Sequence, residues 1–263
     1  MIGGRLAGRR ALITGAGGGL GSAIVRVFGS EGALVFVNDV DAEAAQRTVD
    51  ECRAMGHPVI AAVGDISHSD GVGAAFETVL GDGVPLDVLV TNAGVSTATD
   101  PDADISVNPC DRDIRHVNDG SWRRMTATHL DGTFYCVRAA VHSMVTHPQG
   151  GAIVCMSRMA ATAGYGAVHY SPAKAGILGI VRSQARSLGK FNIRINAICP
   201  GSIDAGMMRY FPRDGVQAGI SQIPLGRLGE ADDIVFAALY LASGEAAYVT
   251  GPYLSPNGGR VVT

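Results

Sequence analysis

Three side chains near the middle of the chain, Ser157, Tyr170 and Lys174, have the types and spacing to move a proton at an oxygen. The run Tyr170-Ser171-Pro172-Ala173-Lys174 sets a phenol and an ammonium four residues apart, which on a helix places them on one face. A free phenol titrates near 10, too high to accept a proton at neutral pH, and a neighbouring ammonium lowers that value by favouring the phenolate. The pair is therefore suited to the proton of an alcohol–carbonyl couple. Alone, a Tyr-x-x-x-Lys spacing is also what an ordinary exposed helix face carries. Ser157 changes that reading: it ends an apolar run thirteen residues before Tyr170, where its hydroxyl can orient and polarise a substrate oxygen.

A second cluster suits a phosphate. Thr14-Gly15-Ala16-Gly17-Gly18-Gly19-Leu20-Gly21 follows an apolar run and opens an amphipathic segment. Glycines there let the backbone turn tightly and approach a pyrophosphate, and the helix that follows offers free N–H groups and the positive end of its dipole. A flexible glycine turn is the bland alternative, and the strand-before, helix-after context argues against it. The next apolar run ends at Asn38-Asp39, about eighteen residues past Gly21. A carboxylate there accepts hydrogen bonds from ribose hydroxyls and repels the 2′-phosphate of NADP. Neither Gly17 nor Gly18 is replaced by a basic residue, so both features favour NAD. Asp39 is also placed to cap the following helix, but Asp41 is the better candidate for that task.

The elements that must position these residues are legible as an alternation. Short runs rich in Val, Ile and Leu lie at 10–14, 33–38, 59–63, 86–91, 151–157, 193–199 and 253–254, as expected of parallel strands covered on both faces. Helical patterns lie between them at 19–30, 41–55, 69–80, 122–146, 168–189 and 231–243. The expected fold is a doubly wound α/β sheet with helices on both faces, in a single domain over 1–263, since no Pro/Gly linker or repeat divides the chain. Two segments break the alternation. Residues 96–121 carry Asp100, Asp102, Asp104, Asp111 and Asp113, and read either as a solvated loop or as a flap beside the substrate, because they leave the carboxyl end of the fourth strand. Residues 202–223 mix Met207, Met208, Tyr210, Phe211 and Ile220 with glycines, as a lid over an apolar substrate or a surface helix would.

Composition narrows the function class. Of 263 residues, 47% are hydrophobic and 17% charged, enough for a large buried core. The net charge of -3 and the scattered Lys and Arg residues give no stripe for nucleic acid. The five cysteines Cys52, Cys110, Cys136, Cys155 and Cys199 are odd in number and form no C-x-x-C pair, so neither a metal centre nor a disulfide framework is expected. Free thiols suit a reducing cytoplasm, with Cys136, Cys155 and Cys199 as small core residues. The arginines near Met1 precede an apolar run that breaks at once into glycines, unlike a signal peptide, and no stretch is long enough to span a bilayer.

Taken together, the phosphate loop, Asp39, Asp65-Ile66, Asn92-Ala93-Gly94, Ser157, Tyr170 with Lys174, and Pro200-Gly201 stand in the order and spacing of the short-chain dehydrogenase/reductase family, which the chain resembles from about Leu6 to Gly259. The resemblance implies a Rossmann-like, seven-stranded parallel sheet, assembled as a homotetramer or homodimer. It implies that Gly15, Gly17, Gly19, Leu20, Gly21 and Asp39 hold the nucleotide, that Asp65 and Ile66 flank the adenine, and that Asn92, Ala93 and Gly94 support the cleft. It further implies that Lys174 holds the nicotinamide ribose and tunes Tyr170, that Pro200, Gly201 and Ile203 contact the nicotinamide side, and that Ser157 holds the substrate oxygen while Tyr170 transfers the proton. In the family the long helices here at 122–146 and 168–189 commonly form a dimer interface, although their apolar residues Phe134, Val137, Ala140, Val141, Ile177, Ile180 and Val181 are equally suited to covering the sheet.

Two positions depart from the family pattern. His129 stands where an Asn joins a water-mediated proton relay, and is read either as a substitute in that relay or as a satisfied helix histidine. Ala205 stands where a Thr often bonds the nicotinamide carboxamide. The function expected is NAD-dependent interconversion of a hydrophobic secondary alcohol and its ketone, of hydroxysteroid, 3-hydroxyacyl or cyclic-alcohol type, with no metal. An NADPH-linked 3-oxoacyl carrier-protein reductase is the alternative, against which stand Asp39 and the lack of a basic docking patch. A non-catalytic NAD-binding sensor or scaffold would explain His129 and Ala205, but not an intact Ser157, Tyr170 and Lys174.

Overall fold

Seven short strands form one parallel sheet, and nearly every residue in its five central strands is buried because helices cover both faces. The computed structural model describes residues 4–96, 113–164, 166–204 and 213–262. Residues 97–112 and 205–212, which hold Cys110, Ala205, Met207, Met208, Tyr210, Phe211, most of the expected flap and part of the expected lid, lie outside the described residues. The strands are β1 Arg10–Ile13, β2 Leu34–Val37, β3 Val59–Ala61, β4 Val88–Thr91, β5 Gly151–Met156, β6 Ile193–Ile198 and β7 Tyr253–Leu254. Their order across the sheet is β3-β2-β1-β4-β5-β6-β7, with every pair parallel. The chain reverses its direction of winding between β1 and β4, so the carboxyl ends of these two strands open the crevice where doubly wound sheets bind ligands.

Helices α1 Gly19–Ser30, α2 Ala42–Ala54 and α3 Ser69–Leu80 follow the first three strands. After β4 come α4 Asp119–Thr126 and α5 Gly132–Met144, then α6 Ala160–Ala163, α7 Tyr170–Leu188, α8 Arg213–Ile220 and α9 Ala231–Ala242. Phe28, Ile24 and Val235 belong to the core on one face of the sheet; Phe76, Val137 and Ile177 belong to the core on the other. Asp41 caps α2, its Oδ1 accepting from the amides of Glu43 at 2.9 Å and Ala44 at 3.1 Å, which leaves Asp39 for other work.

The expected helix over 122–146 is in fact three pieces. A π-helical turn at Ala127–Asp131 separates α4 from α5. One extra residue per turn is invisible to a search for 3.6-residue periodicity, and such turns recur at functional sites. Val137, Ala140, Ile177 and Val181 are spent on the sheet, while Phe134 remains exposed. Cys52, Cys136, Cys155 and Cys199 are free, buried thiols, and burial pushes those of Cys136 and Cys155 up to about 12. Among the described residues no helix is long and apolar enough to cross a membrane.

Candidate active site

At the carboxyl end of the sheet a cavity of about 710 Å³ opens between the glycine loop, the ends of β4 and β5, the π-helical turn and the start of α7. Two linked hydrogen-bond sets build its floor. Thr14 Oγ1 accepts from the amides of Asn92 and Ala93, each at 3.0 Å. Asn92 Nδ2 in turn donates to the carbonyls of Thr14 and Gly15, each at 3.0 Å. Asn92 therefore ties the end of β4 to the glycine loop, a structural task that needs both a donor and a fixed backbone.

The loop has room only for glycine where it meets that floor. Gly15 has φ 62°, and a Cβ there would lie 2.5 Å from Ala93 Cα. At Gly21 a Cβ would lie 2.2 Å from the Gly15 carbonyl oxygen. Gly18 and Gly19 face open space beside the first turn of α1. This is a cradle of bare backbone in front of a helix N-terminus, and it fits the pyrophosphate of a nicotinamide dinucleotide. Gly17 does not line the cavity; its amide donates to Asp39 Oδ2 at 2.9 Å, and the other oxygen of Asp39 accepts from the Asp41 amide at 3.1 Å. Asp39 is thus held rigidly across from the loop, on the cavity wall with Asp65 and Ile66. Burial works against the Asp65 carboxylate, but the hydroxyl and amide of Ser67 and the ring of His68 hold it below the usual carboxylate range.

The other end of the cavity carries the residues expected to act as acid and base. Tyr170 opens α7, and Lys174 lies one turn on with its Nζ 5.8 Å from the centroid of the Tyr170 ring. Lys174 is buried, and its ammonium donates to the Met156 carbonyl at 2.9 Å. Ser157 follows β5, its amide donating to the Ile198 carbonyl at 2.8 Å and its Oγ donating to the Lys174 carbonyl at 2.8 Å. With its proton so used, the Ser157 oxygen presents lone pairs and accepts from an alcohol; to donate to a ketone, the hydroxyl must turn. Ser157, Tyr170 and Lys174 are brought together as the sequence expects, with Pro200 and Ile203 on the same wall. Gly201 stands behind it, packed on Asn257 with its amide donating to the Pro256 carbonyl at 3.0 Å.

The electrostatics differ from the expectation drawn from spacing. Burial pushes the Tyr170 phenol above 10, and the cation that opposes this is Arg158 rather than Lys174. Burial, with the charge of Arg158 adding, also pushes Lys174 down to about 7. The four-residue spacing predicts proximity correctly, but it does not foresee how strongly the site is desolvated.

His129 lies within the π-helical turn and is buried. Its ring meets that of Tyr170 edge-on, with centroids 5.2 Å apart at 86°. Nε2 lies 3.0 Å from the Val95 carbonyl oxygen and 3.3 Å from the Val95 amide, so the tautomer decides which bond forms. Nδ1 has no hydrogen-bond partner among the described residues. Burial first, then the charge of Lys174, holds the ring well below its ordinary value, hence neutral. Its neighbour Gly94 has no room for a side chain: a Cβ there would lie 2.4 Å from His129 Cε1. Sequence reading named Thr14 in the glycine run without its role in the floor, and missed Val95 as the partner of His129 and Arg158, a cavity-lining residue with no periodic or motif signal.

Comparisons with known proteins agree with this geometry. A family model described as Enoyl-(Acyl carrier protein) reductase matches residues 15–260. The chain is 36% identical over 252 residues to (2S)-[(R)-hydroxy(phenyl)methyl]succinyl-CoA dehydrogenase subunit BbsD of Thauera aromatica, covering 96% of each chain. It is 32% identical over 258 residues to (3R)-3-hydroxyacyl-CoA dehydrogenase of Rattus norvegicus, covering 97% of each. Among solved structures, 3-oxoacyl-[acyl-carrier protein] reductase from Brucella melitensis superposes with a TM-score of 0.87 at 30% identity, covering 97% of this chain and 92% of that one. A short-chain type dehydrogenase/reductase from Mycobacterium marinum gives a TM-score of 0.87 at 27% identity, with 98% and 97% covered. Matched end to end by dehydrogenases and reductases that share its seven-stranded sheet, the chain belongs to the short-chain dehydrogenase/reductase family, enzymes that act on CH–OH donors with a nicotinamide cofactor.

Proposed function

We propose that the chain is an NAD-dependent dehydrogenase that interconverts a secondary alcohol of hydroxyacyl type and its ketone, with Tyr170 as the acid/base. The observation that carries the choice of NAD is Asp39, whose carboxylate is fixed by the Gly17 and Asp41 amides on the cavity wall, where a 2′-phosphate would meet its charge. The hydroxyacyl substrate rests on the two relatives named as CoA-linked dehydrogenases above.

The residues divide the work as follows. Gly15, Gly18, Gly19, Leu20 and Gly21 would cradle the pyrophosphate, Asp39 the adenosine ribose, Asp65 and Ile66 the adenine, and Lys174 the nicotinamide ribose. When bound, the nicotinamide supplies the hydride acceptor or donor at its ring C4. Ser157 orients the substrate oxygen, and Tyr170 takes its proton in the oxidative direction or returns it in the reductive one. His129, a neutral imidazole held against the Tyr170 ring with Nδ1 unpartnered among the described residues, is assigned the relay of that proton. We further infer self-association as a homodimer or homotetramer through the exposed face of α4 and α5, where Trp122 and Phe134 stand out of the core.

The test is calorimetric titration with NADH and NADPH of the wild type, Asp39→Ala and Tyr170→Phe. The expected result is tight NADH binding and weak NADPH binding, a preference relaxed by Asp39→Ala, and a Tyr170→Phe protein that still binds NADH but turns over about 100-fold slower or worse. A preference for NADPH would replace this reading with an NADPH-linked 3-oxoacyl carrier-protein reductase, in line with relatives of that name at 34% and 30% identity. Undiminished function in Tyr170→Phe would favour a cofactor-binding scaffold.

A further inference from the structure

The cavity is electrically lopsided. Its adenosine end presents the carboxylates Asp39 and Asp65; its other end presents Lys174, Arg158 and Arg124, and none of the described residues lining that end is acidic. Lys174 has structural work, its ammonium bound to the Met156 carbonyl. Arg158 has none. It is half-buried on the cavity wall, and among the described residues its guanidinium has neither an ion-pair nor a hydrogen-bond partner. Its position follows from the end of β5 at Met156: past that point the alternation of a strand no longer holds, so the consecutive side chains Ser157 and Arg158 both reach the same cavity. Its charge is felt at both Tyr170 and Lys174, which places it within electrostatic reach of the reacting oxygen.

A half-buried guanidinium without a counter-charge among the described residues, next in the chain to the residue that orients the substrate oxygen, is a preformed fork for a planar anion. We propose that Arg158 is a specificity determinant that binds a carboxylate carried on the same carbon skeleton as the substrate's hydroxyl, so that the enzyme prefers hydroxy acids or their half-acid derivatives to neutral secondary alcohols. This rests on the dehydrogenase reading above. Arg124, from α4 on the same wall, extends the positive end of the cavity.

The test compares 3-hydroxybutyrate with its methyl ester, which removes the charge and adds one methyl group, using the full chain with NAD and, in parallel, NADP. In the wild type kcat/KM for the acid exceeds that for the ester by about tenfold or more, the scale of a charge-assisted hydrogen bond. Arg158→Gln collapses that ratio towards one, and Arg158→Lys restores part of it. The ester reports any loss common to both substrates through Tyr170, so the ratio isolates recognition. A wild-type ratio near one, or a ratio unchanged in Arg158→Gln, overturns the proposal. Should neither substrate turn over with either cofactor, titration of succinate into the protein with NADH present separates the two readings. Succinate binding weakened about tenfold or more by Arg158→Gln keeps the anion site while the dehydrogenase reading falls; equal binding to both proteins removes the anion site.

Discussion

At the scale of single residues, His129 shows how much one buried ring constrains. The fold holds it neutral, chiefly through burial and then through the charge of Lys174, well below its ordinary value of 6.5. The sign of the consequence follows from linkage. Below about pH 6.5 the unfolded chain gains a proton at this ring that the folded chain refuses, so the stabilisation present above that pH is lost as pH falls. Urea unfolding at pH 7.5 and 5.5 should therefore show a steeper acid loss in the wild type than in His129→Asn, by up to about 1.4 kcal/mol per pH unit. Parallel curves for the two proteins would show that the ring titrates freely. The spacing of Tyr170 and Lys174 tells that they share a helix face, but not that the ammonium is spent on the Met156 carbonyl, nor that a second cation, Arg158, stands beside them. Such facts are set by where strands end in space, and an isolated Arg after a strand has no periodicity to announce it.

At the scale of elements, the glycine loop and the end of β4 form one unit through Thr14 and Asn92. Two substitutions in that loop should behave differently in the free protein. Gly15→Ala forces a side chain into a left-handed backbone and against Ala93 Cα, and should cost on the order of 1–3 kcal/mol as well as weaken cofactor binding. Gly18→Ala meets extended backbone and open space, and should change stability by less than about 0.5 kcal/mol. Thermal denaturation of the two variants without ligand checks this, and equal losses would mean that the loop is not anchored on β4 as described. The strands and most helices were legible because apolar runs and helical stripes reflect burial on two faces. The π-helical turn was not, since a single added residue leaves the flanking stripes of α4 and α5 intact.

At the scale of the whole molecule, the sheet spends most of the apolar residues on α5 and α7, yet Trp122 and Phe134 remain at the surface. The Phe134 ring lies under the guanidinium of Arg138, 5.1 Å from its centroid, which shields part of it but leaves the patch apolar. Sedimentation velocity should give a mass of two or four chains, and Phe134→Glu should lower it while leaving the far-UV spectrum of the fold in place. A wild-type monomer would assign this face to solvent instead.

The contact between His129 and Gly94 has a consequence for how this site can change over time. While the imidazole stands where it does, any side chain at 94 collides with it at 2.4 Å, so the two positions cannot vary independently. A lineage that gave residue 94 even a methyl group would first have to exchange the ring at 129 for something smaller, and the reverse order of steps would pass through a protein with a blocked cavity. The order of substitutions at these two sites is thus directional, and ancestral variants rebuilt one change at a time would reveal that asymmetry as viability in one order and failure in the other.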